Sequence, residues 1–299
     1  MASGFSKMAF LRSAARHLIS AFGLGAAFGC SLPGPASDRA VMRGFRHEQL
    51  PLPAPLHGNL HAVSAGDPAG CRVVFVHGTP GSADGWRDFL AEVPEGFEYV
   101  AVDRPGFGES DPEDAVVSLE MQADALLPLL AQGRRTLLVG HSLGGPVVAE
   151  AALRAPGKVG GILILAGSLD PDLEEIHPLQ HIGRVWPVRS LLPRAIRNSN
   201  EELFALEAEL RRLDTRLPQM EVPVRIVHGD EDPLVPVANV DYMRRRLPAA
   251  EIRAVELLPG RDHYLPWKER ARIEAGLRAL AWDAGCSETD TVESSGGRR

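Results

Sequence analysis

Ser142 sits in Gly140-His141-Ser142-Leu143-Gly144, a G-x-S-x-G pentapeptide inside "LLVGHSLGGPVV". A serine hydroxyl is a poor nucleophile until a neighbouring base takes its proton. Imidazole oriented by a carboxylate is the usual base. The sequence holds ten histidines. His263, in "LLPGRDHYLPW", stands late in the chain behind an apolar run, where a base that reaches the serine is expected. Four carboxylates compete to orient it: Asp230 and Asp232 in "HGDEDPLVP", Asp170 after "ILILAGSL", and Asp262 beside His263. His77 and His228 end apolar runs and are expected to hydrogen-bond the backbone. His141 follows the first glycine of the pentapeptide and is expected to pack. His177 and His181 have the i, i+4 spacing of metal ligands in "HPLQH", but no third ligand stands near them, so packing or lining a pocket is the expected role.

G-x-S-x-G occurs often by chance, and it signifies a nucleophile only on a sharp turn between a strand and a helix. The flanking sequence has that form. "TLLVG" reads as a buried strand and "LGGPVVAEAALRAPG" as a helix. Before them come the strands "CRVVFVHG" and "YVAVDRPG", with "SADGWRDFLAEV" and "SLEMQADALLPLLAQG" as helices. After them come "KVGGILILAGS", "VPVRIVHGDED" and "EIRAVELLPG" as strands, with helices at 237–247 and 266–280. Strands that are apolar throughout and alternate with helices predict an α/β chain with a mostly parallel, doubly wound sheet. Such sheets bind ligands beyond the C-terminal ends of their strands, where Ser142, Asp232 and His263 all fall. Regularity pauses over 169–220, which holds the apolar residues Ile176, Leu179, Ile182, Val185, Trp186, Leu191 and Phe204.

With "HGTPGSADGW", "DRPGFGES", "GHSLGG", "HGDEDPLVP" and "GRDH" in this order, the chain resembles the α/β-hydrolase superfamily, in its cap-bearing lipase, esterase and peroxidase-like branch. The similarity covers about residues 60–280. The resemblance implies the α/β-hydrolase fold with a small helical cap (lid) at 169–220, whose apolar residues are candidates for lining a pocket. It implies a Ser142–His263–Asp232 triad, because the family places its acid three residues after the glycine that ends this strand, here Gly229. It implies an oxyanion hole from the backbone N–H groups of Leu143 and Thr79, since Pro80 has no N–H. "DRPGFGES" is expected to be a structural turn. Serine at the nucleophile position speaks against the haloalkane dehalogenases and epoxide hydrolases of the superfamily, which use aspartate. The expected activity is hydrolysis of an ester-like bond of a small apolar substrate through an acyl-enzyme, without cofactor or metal. Alternatives are a thioester, C–C or amide bond on the same triad, or a non-catalytic binding protein on this scaffold. Because the triad lies outside 176–206, removal of that segment is expected to alter substrate range more than reactivity.

The outer segments divide as 1–30, a signal-like stretch; 31–59, a Pro/Gly/Ser-rich linker and N-terminal strand region; 60–168 and 221–284, the core; and 285–299, a polar tail. Lys7, Arg12 and Arg16 precede the short apolar run Leu18 to Cys30, which is too short to span a membrane and reads as an export signal. "AFGC" resembles the end of a lipoprotein signal, with Cys30 as the lipidated residue. The expected location is therefore periplasmic or anchored to a membrane through Cys30, and cytoplasmic if the segment is not a signal. A net charge of −7 with no basic block in the body of the chain argues against nucleic acid as a partner and leaves a small-molecule substrate. Two further cysteines, Cys71 and Cys286, do not make a disulfide framework and read as unrelated thiols. Oligomeric state is not legible.

Overall fold

The structure, a computed structural model, describes residues 41–130 and 136–286. The segments 1–40, 131–135 and 287–299, including the signal-like stretch, Cys30 and most of the polar tail, lie outside them.

Eight strands form one sheet: β1 (Arg46–Pro51), β2 (Asn59–Gly66), β3 (Cys71–Val76), β4 (Phe97–Val102), β5 (Thr136–His141), β6 (Val159–Leu165), β7 (Val224–Gly229) and β8 (Ile252–Leu258). Their spatial order is β1-β2-β4-β3-β5-β6-β7-β8. β1 with β2 and β2 with β4 run antiparallel, and the rest are parallel. β1 lies within the N-terminal strand region expected over 31–59 and is exposed along most of its length. The helices are α1 (Arg87–Ala91), α2 (Leu119–Leu126), α3 (Gly144–Arg154), α4 (Pro178–Gly183), α5 (Val188–Leu191), α6 (Arg194–Asp214), α7 (Ala238–Arg246), α8 (Leu265–Lys268) and α9 (Arg270–Asp283).

The central strands are mostly apolar because both faces are covered. Along β3, Val74 and Val76 enter one core layer, whereas Val73 and Phe75 enter the other. β6 divides likewise, Ile162 and Ile164 against Leu163 and Leu165. Successive side chains of a strand point to opposite faces, so a doubly covered strand cannot alternate with polar residues. α2, α3 and α7 fill the first layer with Leu126, Val147 and Met243; α1 and α9 fill the second with Phe89, Ile273 and Leu277.

Between β6 and β7 the chain leaves the sheet and forms α4, α5 and α6. Pro178, Pro187 and Pro193 punctuate the first two into short pieces. α6 runs 21 residues and plants Leu206, Leu210 and Leu213 in the first core layer.

One sequence expectation is overturned here. Cys71 and Cys286 are joined by a disulfide, with their Cα atoms 5.6 Å apart. They are 215 residues apart in sequence, and only the return of α9 alongside the sheet brings them together.

Candidate active site

Ser142 ends β5 at a turn where its φ is +55°, a left-handed conformation that is costly for a residue with a Cβ. The glycines around it make the turn possible. A Cβ on Gly140 would lie 2.3 Å from the Gly144 carbonyl oxygen, and a Cβ on Gly144 would lie 2.3 Å from the Val76 oxygen. The pentapeptide therefore lets strand, turn and helix α3 touch backbone to backbone. The turn is tied down by Ser142 N–H donating to the Leu165 carbonyl (3.0 Å) and Gly145 N–H donating to the Ser142 carbonyl (2.8 Å).

His263 follows β8 and donates from Nδ1 to Asp232 Oδ2 at 2.7 Å. That bond fixes the neutral tautomer with its lone pair on Nε2, free to accept a proton. The Asp232 side chain is fully buried and that of His263 nearly so. Burial alone would push the Asp232 carboxyl up. The His263 hydrogen bond and charge, with N–H bonds from Val235 and Leu234, outweigh it and hold the group below its ordinary value. His228 lies 3.7 Å from the same oxygen. Burial lowers its pKa, and its Nε2–H is spent on the Val235 carbonyl (2.9 Å). His141 donates from Nε2 to the His263 carbonyl (2.9 Å) and packs against the rings of His263 and Trp267. Burial drops its pKa to about 3, so it packs as a neutral ring.

The rival carboxylates are engaged elsewhere. Asp230 accepts the Gly260 N–H (2.7 Å), Asp170 accepts the Asp172 N–H (3.0 Å), and Asp262 pairs with Lys268. Of the spaced pair, His177 caps α4 by accepting the Leu179 N–H, and His181 packs edge-on against Phe204.

Ser142, His263, Thr79 and Leu143 line one cavity of about 900 Å³ between the strand ends and the α4–α6 segment, and Asp232 lies buried behind His263. Among the described residues, no hydrogen-bond partner engages the N–H of Thr79 or of Leu143. Gly78 brings the Thr79 loop close, because a Cβ there would sit 2.7 Å from Ser142 Cβ.

The pocket-lining expectation needs correction. Of the seven apolar residues singled out between 176 and 204, only Ile176 faces the cavity. Val185, Trp186 and Leu191 are exposed, at 58%, 80% and 70%. Leu192, Ile196, Leu203 and Leu206 line it instead, because the face that α6 turns inward falls one residue before Phe204. Sequence reasoning also missed buried Arg104 and Glu202 beneath Thr79. An arginine two residues after an apolar strand, in "VAVDRPG", was the available signal.

Comparison with known proteins agrees with this architecture. The alpha/beta hydrolase family model matches residues 73–275. The chain is 32% identical over 148 residues to the pimeloyl-[acyl-carrier protein] methyl ester esterase of Edwardsiella ictaluri (strain 93-146), covering 48% of this chain and 56% of that protein. It is 27% identical over 237 residues to the non-heme chloroperoxidase of Streptomyces lividans, covering 64% and 85%. Against two of its curated relatives the chain spans only 26% and 56% of their length. Its fold is similar to that of 2-hydroxy-6-oxo-6-phenylhexa-2,4-dienoate hydrolase from Rhodococcus sp. strain RHA1, with a TM-score of 0.61 at 20% identity, over 79% of this chain and 98% of that one. Since the family model spans well over half of the 299 residues and the sheet order and elbow agree with it, the chain belongs to the alpha/beta hydrolase family.

Proposed function

We propose that the protein is a serine hydrolase that cleaves a neutral ester through an acyl-enzyme, with Ser142, His263 and Asp232 as its triad. The observation that carries this reading is the strained Ser142 turn, which opens on the same cavity as a His263 ring whose tautomer Asp232 fixes. His263 Nε2 takes the Ser142 proton as Oγ attacks the ester carbon. The Thr79 and Leu143 N–H groups receive the developing oxyanion, and His263 returns the proton to the leaving alcohol. Water then attacks the acyl carbon and gives a proton to His263, which passes it to Ser142 Oγ as the acyl–Oγ bond breaks and the carboxylic acid leaves. Asp232 stays ionised throughout.

The cavity supports a substrate without negative charge. Its lining holds three carboxylates, Asp172, Glu174 and Glu175, and neither lysine nor arginine. Burial raises the Glu174 pKa, which favours its neutral form against the Ser168 hydroxyl. Apolar surface from Ile196, Leu203, Leu206 and Trp267 suits an acyl chain or ring. The same observation weighs against the second reading, C–C cleavage of a dienoate of the kind named for the Rhodococcus enzyme, whose carboxylate would meet no cation here.

We also propose that the protein is exported, with Cys30 as the lipid anchor. The Cys71–Cys286 disulfide supports an oxidising compartment. Mass analysis of protein from its own host tests this: an intact chain starting at Met1 overturns export, and cleavage without acyl mass overturns the anchor. The activity is tested with p-nitrophenyl esters of graded chain length. Turnover of neutral esters in preference to carboxylate-bearing ones is expected; preference for the charged ones overturns the substrate class.

A further inference from the structure

Beneath the Thr79 loop lies a fully buried ion pair that links α6 to the strand ends. Arg104 stands two residues beyond the end of β4, and its side chain is wholly inaccessible. Glu202 comes from α6, 98 residues later, and is equally enclosed. All five guanidinium N–H groups find acceptors. Nε donates to the His77 carbonyl (2.9 Å). Nη1 donates to Glu202 Oε1 (2.6 Å) and Gln122 Oε1 (2.5 Å). Nη2 donates to Glu202 Oε2 (3.1 Å) and the Gly78 carbonyl (2.9 Å). An arginine has no sixth proton, so its orientation is fully determined. Glu202 is held in turn by Gln122 Nε2 (2.8 Å) and by the Thr79 hydroxyl, which reaches Oε2 at 2.5 Å.

The Gly78 carbonyl is the informative contact. It belongs to the same peptide unit as the Thr79 N–H. That unit is planar and trans, so its C=O and N–H point in opposite directions. Drawing the Gly78 oxygen down onto Arg104 turns the Thr79 N–H the other way. The His77 carbonyl is drawn down by the same guanidinium, and the Thr79 hydroxyl is drawn onto Glu202. The Gly78 oxygen also accepts the His77 Nδ1–H (2.6 Å), so the peptide that carries the proposed oxyanion donor is held by His77 together with this ion pair, half of which belongs to the cap.

We propose that Glu202 and Arg104 are positioning residues for the oxyanion hole: the α6 carboxylate, through Arg104 and Thr79, sets the direction of the Thr79 N–H, so that seating the cap and completing the oxyanion hole are one event. This rests on the Ser142 reading above. It runs against the expectation that removing 176–206 alters substrate range more than reactivity, because Glu202 and Ser199, which lies 2.9 Å from the Thr79 hydroxyl, both fall inside that segment.

Breaking a buried pair by one partner leaves an uncompensated charge, whereas replacing both by apolar residues is often tolerated. The test therefore uses the double variant R104M/E202M, together with T79V, which removes only the hydroxyl tie. Each is assayed with a short p-nitrophenyl ester and with phenylboronic acid, a tetrahedral mimic that forms on the serine. Thermal unfolding is followed in parallel. Loss of one oxyanion donor typically costs about 10²–10³-fold in kcat, so R104M/E202M, in which His77 still holds the Gly78 carbonyl, is expected to lose at least about tenfold and at most that amount, with KM changed by about twofold or less. T79V is expected to lose about tenfold, less than a whole donor because Arg104 still holds the Gly78 carbonyl. Boronate affinity should fall in step with kcat. A folded R104M/E202M with wild-type kcat and boronate affinity overturns the inference. If that variant does not fold, T79V decides: wild-type kcat and boronate affinity overturn it. S142A is run alongside. If S142A still turns over ester, the underlying reading fails; if S142A is inactive while the other variants keep full activity, only the positioning role fails.

Discussion

The Cys71–Cys286 bond closes a loop with a sequence separation of 215 residues and ties the first residue of β3 to the chain just beyond α9. In the chain-entropy account, a crosslink across a loop of this length removes enough unfolded-state freedom to contribute about 5 kcal/mol. For a protein of this size each kcal/mol moves Tm by about 2–4 °C, so reduction should lower Tm by roughly 10–20 °C. Calorimetry of the oxidised protein, of protein held in a phosphine reductant, and of C71A/C286A measures the shift. Alanine is the right replacement because both cysteines pack against the second core layer, where serine would bring a hydroxyl. Activity at 25 °C should be nearly unchanged, because Cys71 and the Thr79 loop lie at opposite ends of β3, roughly 20 Å apart at strand rise. Thiol titration in denaturant without reductant should find at most one group, from Cys30. Two further thiols, or a Tm difference under about 3 °C, would refute the account.

Four other outcomes follow from particular contacts. Asp232→Asn should keep the fold and cost up to about 10⁴-fold in kcat by favouring the wrong His263 tautomer, while Asp230→Asn and Asp170→Asn lose little; steady-state kinetics decide, and a reversed order moves the acid. Gly78→Ala should cost roughly 100-fold in kcat, since its Cβ would stand 2.7 Å from Ser142 Cβ and displace the nucleophile; unchanged kinetics would show that the loop and Ser142 are not in contact. Gly140→Ala should lower Tm as well as activity, because its Cβ meets backbone, 2.3 Å from the Gly144 oxygen; a soluble variant with wild-type Tm contradicts this. His61 donates from Nδ1 to buried Asp103 (2.7 Å), and its Nε2 meets His47 Nδ1 (3.0 Å), whose Nε2 meets the Met42 carbonyl (2.9 Å). These three bonds need three N–H protons, one more than two neutral rings carry. Burial opposes charge on His61, but the Asp103 hydrogen bond and the charges of Asp103, Glu109 and Asp84 outweigh it and raise its pKa. The stability this adds is full below about 6.5 and lost as pH rises through the raised value, so the Tm gap between wild type and H61Q should narrow above that pH; a gap that widens refutes the protonated pair.

The strand ends were legible because a strand covered on both faces must be mostly apolar, and such runs point to their own last residues. Ser142 stands immediately beyond such a run, His263 lies in the loop after the partly exposed β8, and Asp232 was separated from Asp230 only by the family's spacing. What escaped depends on distance along the chain. Nothing local marks Cys71 for Cys286, or Arg104 for Glu202, because each pairing exists only after the sheet and cap have assembled. The cap lining was misread for a different reason. α4 and α5 are too short to display a helical period, so Val185, Trp186 and Leu191 were chosen for apolar type alone and prove exposed. β1 falls within the N-terminal strand region expected over 31–59, but its exposed face and Pro51 left its bounds unmarked.

The most direct test of the central claim is the site of covalent capture by a fluorophosphonate. The account predicts one adduct per chain, located by peptide mass on Ser142, together with loss of ester turnover in proportion to labelling and no adduct on S142A. Labelling at another residue, or S142A that still hydrolyses esters at the wild-type rate, would contradict it.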